Sequence, residues 1–169
     1  MRPARPAGRP SGDRLVEGVR RAEAADVERC GELLADALHA TRGQRGAALL
    51  LAADPDSADP HRLVERWLAD PGVRLVLGTF DDAVVGLGVG RLVATDEGRR
   101  GQIDCCYVEP AARTVGVGRG IVEDLMGWLA ERGCTGVDAV ALPGDRSSKQ
   151  LLESAGFKAR LLVLHRSLG

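Results

Sequence analysis

A glycine-punctuated loop between a predicted strand and a predicted helix constrains this chain more than any other feature. The strand is Ile103–Val108, a turn opens at Glu109-Pro110, and the loop Arg113–Gly118 reads R-x-x-G-x-G before an amphipathic helix. Backbone amides at a helix start have no acceptor inside the helix, and the helix dipole adds positive charge there. The pattern therefore predicts a site for an anion such as a phosphate group.

Spacing excludes two other glycine-rich phosphate motifs. A Rossmann loop would need a third glycine at position 121, which is Ile121, and a P-loop would need a G-K-[ST] run that the chain lacks. We expect Gly116 and Gly118 to let the backbone approach a ligand without an intervening Cβ. The apolar stripe of the following helix predicts core packing rather than a cofactor site; it consists of Ile121, Val122, Leu125, Met126 and Leu129.

Composition favours an ordinary globular domain. The chain has 169 residues, of which 44% are hydrophobic and 28% charged, and its net charge of −1 argues against a nucleic-acid-binding polycation. No apolar run approaches the roughly 18–20 residues of a membrane span. Residues 1–13 are rich in arginine and proline and predict a disordered arm, which leaves residues 14–169 as a single domain.

The four cysteines show no C-x-x-C spacing, and neither they nor the histidines predict a metal site or a disulfide framework. Cys105 and Cys106 are neighbours in the predicted strand and should face opposite sides of it. Reduced thiols and a cytoplasmic location fit this usage best.

The order of predicted elements indicates a mixed α/β fold. In chain order they are a strand at Leu15–Ala22, a helix from Asp26, a helix opened by Asp59-Pro60, a hairpin of Val73–Phe80 and Ala83–Ala94 around Asp81-Asp82, the strand Ile103–Val108 and its helix, a strand at Val137–Leu142, a helix capped by Asp145 or Ser147, and one or two strands over Phe157–Ser167.

Glycines at period two leave one face of the second hairpin strand without side chains. They are Gly86, Gly88 and Gly90. A closely packed helix or a ligand would suit such a face, and the helix is the interpretation that we favour.

Three segments of the chain resemble the GCN5-related N-acetyltransferases (GNAT family), which bind acetyl-CoA. VRRAEAADVERCGELLADAL is similar to the opening strand and helix of that family, and CYVEPAARTVGVGRGIVEDLMGWLAERG to its motif A. DRSSKQLLESAGF is similar to the closing pattern N-x-x-A-x-x-L-Y-E-x-x-G-F. The resemblance covers about 155 residues, from Arg14 onward.

The resemblance implies a splayed central sheet of six to seven strands with about four helices, parting beyond the motif A strand. Pantetheine would lie in the split, the pyrophosphate on the amides of Val115–Arg119, and the acceptor over roughly residues 38–69 and the hairpin. The implied cofactor-binding residues are Cys106, Tyr107, Val108, Arg113, Thr114, Val115, Gly116, Val117, Gly118, Arg119, Ser147 and Leu151.

The same resemblance implies acetyl transfer from acetyl-CoA to a primary amine by direct attack on the thioester. We expect the Val108 amide to stabilise the oxyanion and Asp104 to act as the base, on the strand face of Cys106 and Val108 by period two. Alternatively, Asp104 only pairs with an arginine such as Arg99 or Arg100.

The general acid is the main departure from the family. Leu152 stands where many members have tyrosine, Asp145 replaces the usual asparagine and Ser148 the usual alanine. Ser147, Ser148, Tyr107 or water would then supply the proton, with Tyr107 disfavoured because it should face the other side of its strand.

Other interpretations stay open. Without the tyrosine, the chain would instead be a catalytically weak acyl-CoA-binding sensor; a third reading is an interaction domain that uses the arm. The acceptor is a small-molecule or protein amine, and Asp54, Asp56 and Asp59 would attract a cationic one. The apolar run Leu161–Leu164 permits a homodimer.

Overall fold

The computed structural model describes residues 17–51, 58–96 and 98–168. The predicted arm, the first two residues of the predicted first strand, and Asp54 and Asp56 lie outside the described residues.

One five-stranded sheet organises the described part of the chain, in the order β1-β2-β3-β4-β5. Neighbouring strands are antiparallel from β1 to β4, whereas β5 runs parallel to β4. The strands are β1 (Glu17–Arg21), β2 (Val73–Phe80), β3 (Ala83–Thr95), β4 (Gly98–Val108) and β5 (Val137–Ala139).

Helices cover both faces of this sheet. They are α1 (Val27–Thr41), α2 (Ala47–Leu51), α3 (Pro60–Ala69), α4 (Val117–Glu131) and α5 (Arg146–Ser154). One apolar cluster joins α1 and α3 to the first face, and a second joins α4 to the opposite face. Apolar residues therefore alternate along the central strands so that both faces are covered, as in other α/β domains.

The predicted hairpin and its glycine face are confirmed. Asp81 and Asp82 both have positive φ (48° and 64°), as a two-residue turn between twisted strands requires. A Cβ on Gly88 would meet Ile121 of α4, and one on Gly90 would lie 3.1 Å from Leu125 Cδ2. The missing side chains therefore let α4 pack closely against β3, which was the favoured interpretation.

The predicted number of elements is wrong. The described residues form five strands and five α-helices rather than six to seven strands and four helices. β5 is three residues long instead of the six of Val137–Leu142, because the chain leaves the sheet after Ala139. The strand predicted at Phe157–Ser167 is absent: these residues have no regular structure, and Leu161–Leu164 are exposed.

Candidate active site

The sheet opens between β4 and β5. The two strands pair only from Gly101 opposite Val137 to Ile103 opposite Ala139. Beyond that point β4 continues to Val108, whereas β5 has ended. The last five residues of β4 therefore have no strand beside them on this edge in the described part of the chain, which is the split that the resemblance implied.

A shift of register in β4 decides which backbone groups face the split. Cys105 pairs with Val89 on β3 and Ile103 with Gly90, so Asp104 is an extra residue. Beyond it, the Glu109 amide donates to the Val85 carbonyl of β3 (2.9 Å). Because backbone amides alternate along a strand, those of Cys106 and Val108 point away from β3, into the split.

A small cavity of about 40 Å³ occupies the split. Its wall comes from β4, the end of β5 and α5. The lining residues are Ile103, Asp104, Cys105, Cys106, Ala139, Val140, Ser148, Leu151 and Leu152. Leu152, which stands at the family's tyrosine position, thus contributes an apolar surface to this cavity and no acidic proton.

The predicted anion loop lies beside the split, at the start of α4. Thr114 and Gly116 both have positive φ (77° and 96°), and Gly116 is the N-cap of α4 without a side-chain capping bond. The first intrahelical bond runs from the Gly120 amide to the Gly116 carbonyl (3.0 Å). The preceding amides, those of residues 117–119, are therefore left without acceptors within the helix, as an anion site requires.

Protein atoms fill the space beside the two motif glycines, Gly116 and Gly118, on the side where a Cβ would lie. A Cβ on Gly118 would lie 3.2 Å from Leu151 Cδ2 and 3.5 Å from Val108 Cγ2, and one on Gly116 would lie 2.7 Å from Glu17 Oε2. We expected these glycines to admit a ligand, but the space beside each is filled by the protein. Their role includes drawing α4 close to β4, α5 and β1.

Asp104 lies on a different face of β4 from the one predicted. Its carboxylate accepts a hydrogen bond from Gln102 Nε2 (2.9 Å) and pairs with Arg91 Nε (2.9 Å). Cys106 and Val108 instead pack in the cluster beneath α4. Period-two alternation fails here because the extra residue of β4 interrupts it. The arginine partner is Arg91 on β3, whereas Arg100 pairs with Asp138 (3.0 Å).

Tyr107 faces away from the split. Its side chain packs with the cluster of α1 and α3, and its backbone is opposite Leu87 on β3. Burial raises the pKa of its phenol, and the charge of Asp36 adds to that rise. Neither its backbone nor its ring is therefore placed to contact a ligand in the split, although we had expected a cofactor contact.

Arg113 and Arg119 place positive charge at the loop, as predicted. Arg113 Nε donates to the Val108 carbonyl (3.0 Å), and its guanidinium lies 6.0 Å from the centre of the Tyr107 ring. Arg119 Nε donates to Glu123 Oε1 (2.7 Å), which raises the pKa of the guanidinium further. Each of the two arginines already has a partner within the protein.

The two serines of α5 bind the carboxylate at its N-cap. Ser148 Oγ donates to Asp145 Oδ2 (2.6 Å), Ser147 Oγ donates to Oδ1 (2.8 Å), and the Ser148 amide donates to Oδ1 (3.0 Å). Burial alone would raise the pKa of Asp145, but these hydrogen bonds outweigh it and the pKa is lowered. Ser148 lines the cavity, while Ser147 is exposed.

The cysteine thiols of β4 are not activated. Burial raises the pKa of Cys105 and that of Cys106 to about 12 each. Cys106 Sγ contacts the Gly118 carbonyl at 3.7 Å. Because the thiolate is the nucleophile, neither residue is suited to form an acyl-enzyme.

Some residues of this site were not found from the sequence. Ala139 and Val140 line the cavity because β5 ends there, and Arg91 reaches Asp104 because β3 pairs with β4. No local pattern identifies them. Glu17, beside Gly116, was equally hidden, since its proximity depends on β1 lying along α4.

Two further findings bear on the type of protein. Across residues 17–51, 58–96 and 98–168, no group of three or more His, Cys, Asp or Glu side chains is arranged to hold a metal ion. In the same ranges no helix is both long and apolar enough to cross a membrane.

Comparison with protein families gives one match. The model of the acetyltransferase (GNAT) family matches residues 33–157, about three-quarters of the chain. That range contains the loop, the split and α5. No curated protein sequence matches this chain.

Solved structures share the fold. A predicted acetyltransferase of Clostridium acetobutylicum, solved with acetyl-CoA, superposes with a TM-score of 0.69 at 17% identity, covering 90% of this chain and 97% of that one. The aminoglycoside N-acetyltransferase AAC(6')-Iy, solved with CoA, superposes with a TM-score of 0.72 at 14% identity, covering 95% of this chain and 99% of that one. A ribosomal-protein-alanine N-acetyltransferase of Brucella melitensis superposes with a TM-score of 0.68 at 18% identity, covering 91% of this chain and 100% of that one.

Proposed function

This chain belongs to the acetyltransferase (GNAT) family, and we propose on that basis that it transfers an acetyl group from acetyl-CoA to a primary amine. The observation that carries the proposal is the split beyond Ile103 and Ala139, with two outward amides of β4 beside the glycine loop of α4. Backbone donors along one strand suit the amides of pantetheine, and the helix start suits a pyrophosphate.

The residues fit such a ligand in three places. The amides of Val117–Arg119 would bind the pyrophosphate, with the charges of Arg113 and Arg119 close by. The edge of β4 at Cys106 and Val108 would pair with pantetheine, beside the Leu151 side chain. Thr114 in the loop before α4 and Ser147 at the start of α5 are further candidates for ligand contacts. The thioester would then reach the small cavity between β4 and α5.

In the proposed reaction, the amine nitrogen attacks the thioester carbonyl, a C–N bond forms and the C–S bond breaks. Asp104 takes the proton from the attacking nitrogen, directly or through a water molecule. The amides of Cys106 and Val108 both point into the split, and the Val108 amide is our candidate for stabilising the oxyanion. The cavity lies beside Cys106, which makes its amide the alternative donor.

The leaving sulfur takes up a proton from Ser148 or from water. Ser148 is the hydroxyl that lines the cavity, and it would have to turn from Asp145 toward the sulfur. A thiol has a pKa of roughly 8.5, so a thiolate is a tolerable leaving group even without a donor. The apolar Leu152 is therefore compatible with turnover. We propose that the reaction takes place in the cytoplasm, where the free cysteines stay reduced.

The proposal is tested by measuring thiol release from acetyl-CoA across small amines, aminoglycosides, polyamines and peptides. We expect at least one amine to be acetylated, and Asp104→Asn to lower its turnover by about 10²-fold or more, as loss of a general base does. Asp138→Asn is the matched control, because it removes a carboxylate from an exposed ion pair with Arg100.

One result would contradict this function, and another would change only its mechanism. Acetyl-CoA binding without turnover on any amine would favour the acyl-CoA-binding sensor instead. Unchanged kinetics of Asp104→Asn would remove Asp104 from the mechanism while leaving acetyl transfer in place.

A further inference from the structure

A carboxylate of the protein itself lies at the start of α4. Glu17 is the first residue of β1, and a Cβ on Gly116 would lie 2.7 Å from its Oε2 and 2.8 Å from its Oε1. Both oxygens therefore pack directly against the backbone of the helix N-cap. The contact places a full negative charge beside the first turn of α4.

The position follows from the way β1 lies along α4. Two residues further on, Val19 Cγ2 is 3.0 Å from the place of a Cβ on Gly120, one helical turn after Gly116. Residues 17 and 19 share a face of the strand, so Glu17 is directed to the helix start by the same alignment. β1 is an edge strand and Glu17 is exposed, so its side chain is free to turn toward solvent.

α4 itself offers no acidic side chain at its start. The first turn of α4 contains no acidic residue, and its N-cap makes no side-chain capping bond. A helix of 15 residues carries partial positive charge at its start, where an anion is stabilised. Glu17 places a carboxylate close to that start.

We propose that Glu17 sets the affinity of this protein for CoA thioesters by competing with their pyrophosphate for the start of α4. The inference rests on the proposed function, which puts the pyrophosphate on the amides of Val117–Arg119. Two anions cannot share one helix start without repulsion, so the carboxylate turns away when the ligand binds. Part of the binding free energy is spent on that displacement.

The consequence extends to the product. CoA carries the same pyrophosphate as acetyl-CoA. Glu17 therefore weakens the binding of both ligands to a similar extent and speeds the release of CoA. A ligand without phosphate groups does not meet the carboxylate. Glu17 thus discriminates between ligands by their charge at this point and leaves contacts along β4 unchanged.

The test compares the full-length protein with Glu17→Gln and with Glu65→Gln as control, because Glu65 is an exposed acid of α3, outside this site. Calorimetry at low ionic strength would give the Kd of CoA, inorganic pyrophosphate and pantetheine for each protein. We expect Glu17→Gln to lower the Kd of CoA and of pyrophosphate by about two- to fivefold, the range that one charge at a helix start accounts for. Pantetheine should bind all three proteins equally.

Thermal unfolding separates this role from a purely structural one. Without ligand, Glu17→Gln should have a lower Tm than the wild type because the helix start loses its countercharge, while its CoA affinity rises. An equal or weaker CoA affinity in Glu17→Gln would overturn the inference and leave the proposed function intact. If neither protein binds CoA, both the proposed function and the inference fail.

Discussion

The extra residue in β4 changes the face of the strand on which the Asp104 carboxylate lies. The register shift puts its carboxylate beside Gln102 and Arg91, on the face of α1 and α3. The amides of Cys106 and Val108 point into the split instead. A carboxylate on one side of β4 and backbone donors at its edge are thereby brought to the same stretch of chain. In the proposed reaction, this arrangement suits an acceptor and a thioester that arrive from different directions.

The partly buried thiols of β4 should be chemically inert at neutral pH. With the pKa of Cys105 and Cys106 raised to about 12, little thiolate exists at pH 8, so a thiol reagent should leave both unmodified in the native protein. Mass spectrometry after incubation with acetyl-CoA should likewise find no acetylated cysteine. Protein unfolded in urea is the control, in which all four thiols should react. Rapid acetylation of Cys106 would instead indicate an acyl-enzyme.

At the scale of elements, the contact between α4 and β3 supports the whole site. The glycine face of β3 lets Ile121 and Leu125 of α4 sit directly on the strand backbone. This close packing fixes the position of the start of α4 relative to the end of β4. At the opposite end of the site, Asp145 fixes the start of α5, which supplies the outer wall of the cavity.

Gly88→Ala should destabilise the protein by about 1–3 kcal/mol, the usual cost of overpacking a core. The added Cβ would meet Ile121 and would lie 2.8 Å from Val76 Cγ2. Gly127→Ala is the control, because Gly127 lies in α4 with open space around its Cα; it should stabilise the helix by up to about 1 kcal/mol. Urea unfolding measures both, and equal stability of the two variants would contradict the packing argument.

Asp145→Ala should destabilise α5 by about 1 kcal/mol through the loss of its N-cap. Because the folded-state pKa of Asp145 is lowered, the stabilisation by its carboxylate is present above the unfolded pKa of about 3.9 and is lost as pH falls through the lower folded value. Unfolding curves of wild type and variant should therefore converge in acid. Ser147→Ala, which removes one exposed hydrogen bond, should have a smaller effect, and curves that stay parallel in acid would argue against the cap.

At the scale of the whole molecule, helices cover both faces of the sheet, but the apolar residues 161–164 near the C-terminus are exposed. Leu161, Leu162 and Leu164 are 77–86% exposed, although the run is apolar on both of the faces that a strand would have. Such an exposed apolar run is rare in a monomer, and strands with two apolar faces are normally buried on both. We propose that a second copy of the chain buries it.

The double variant Leu162→Lys, Leu164→Lys should be monomeric in sedimentation experiments, whereas the wild type should be a dimer. Lysine at either position is tolerated by an exposed segment but not by a buried interface. Leu49→Lys is the control, since Leu49 is a comparably exposed leucine (65%) of α2 and should leave the dimer intact. A monomeric wild type at all concentrations would refute this assembly.

Local patterns predicted most elements of the fold but fewer of their partners. The start of α3 at Asp59-Pro60, the Asp81-Asp82 turn and the loop before α4 were correct because capping and turn residues act over a few positions. The strand at Phe157–Ser167 was wrong, since its apolar run has no neighbouring strand to pair with in the described chain. The alternative for Asp104, pairing with an arginine, named Arg99 or Arg100 as examples, whereas the observed partner, Arg91, lies on another strand.

The sequence by itself determined the glycine loop and the start of α4 with its free amides, because these are consequences of neighbouring residues. The family resemblance supplied the split, but only the tertiary structure decided where β5 leaves β4, and only the register between β3 and β4 turned Asp104 away from Cys106 and Val108. The placement of Glu17 against Gly116 likewise depends on two elements about a hundred residues apart. Contacts of this kind depend on how elements pack, which no short stretch of sequence encodes.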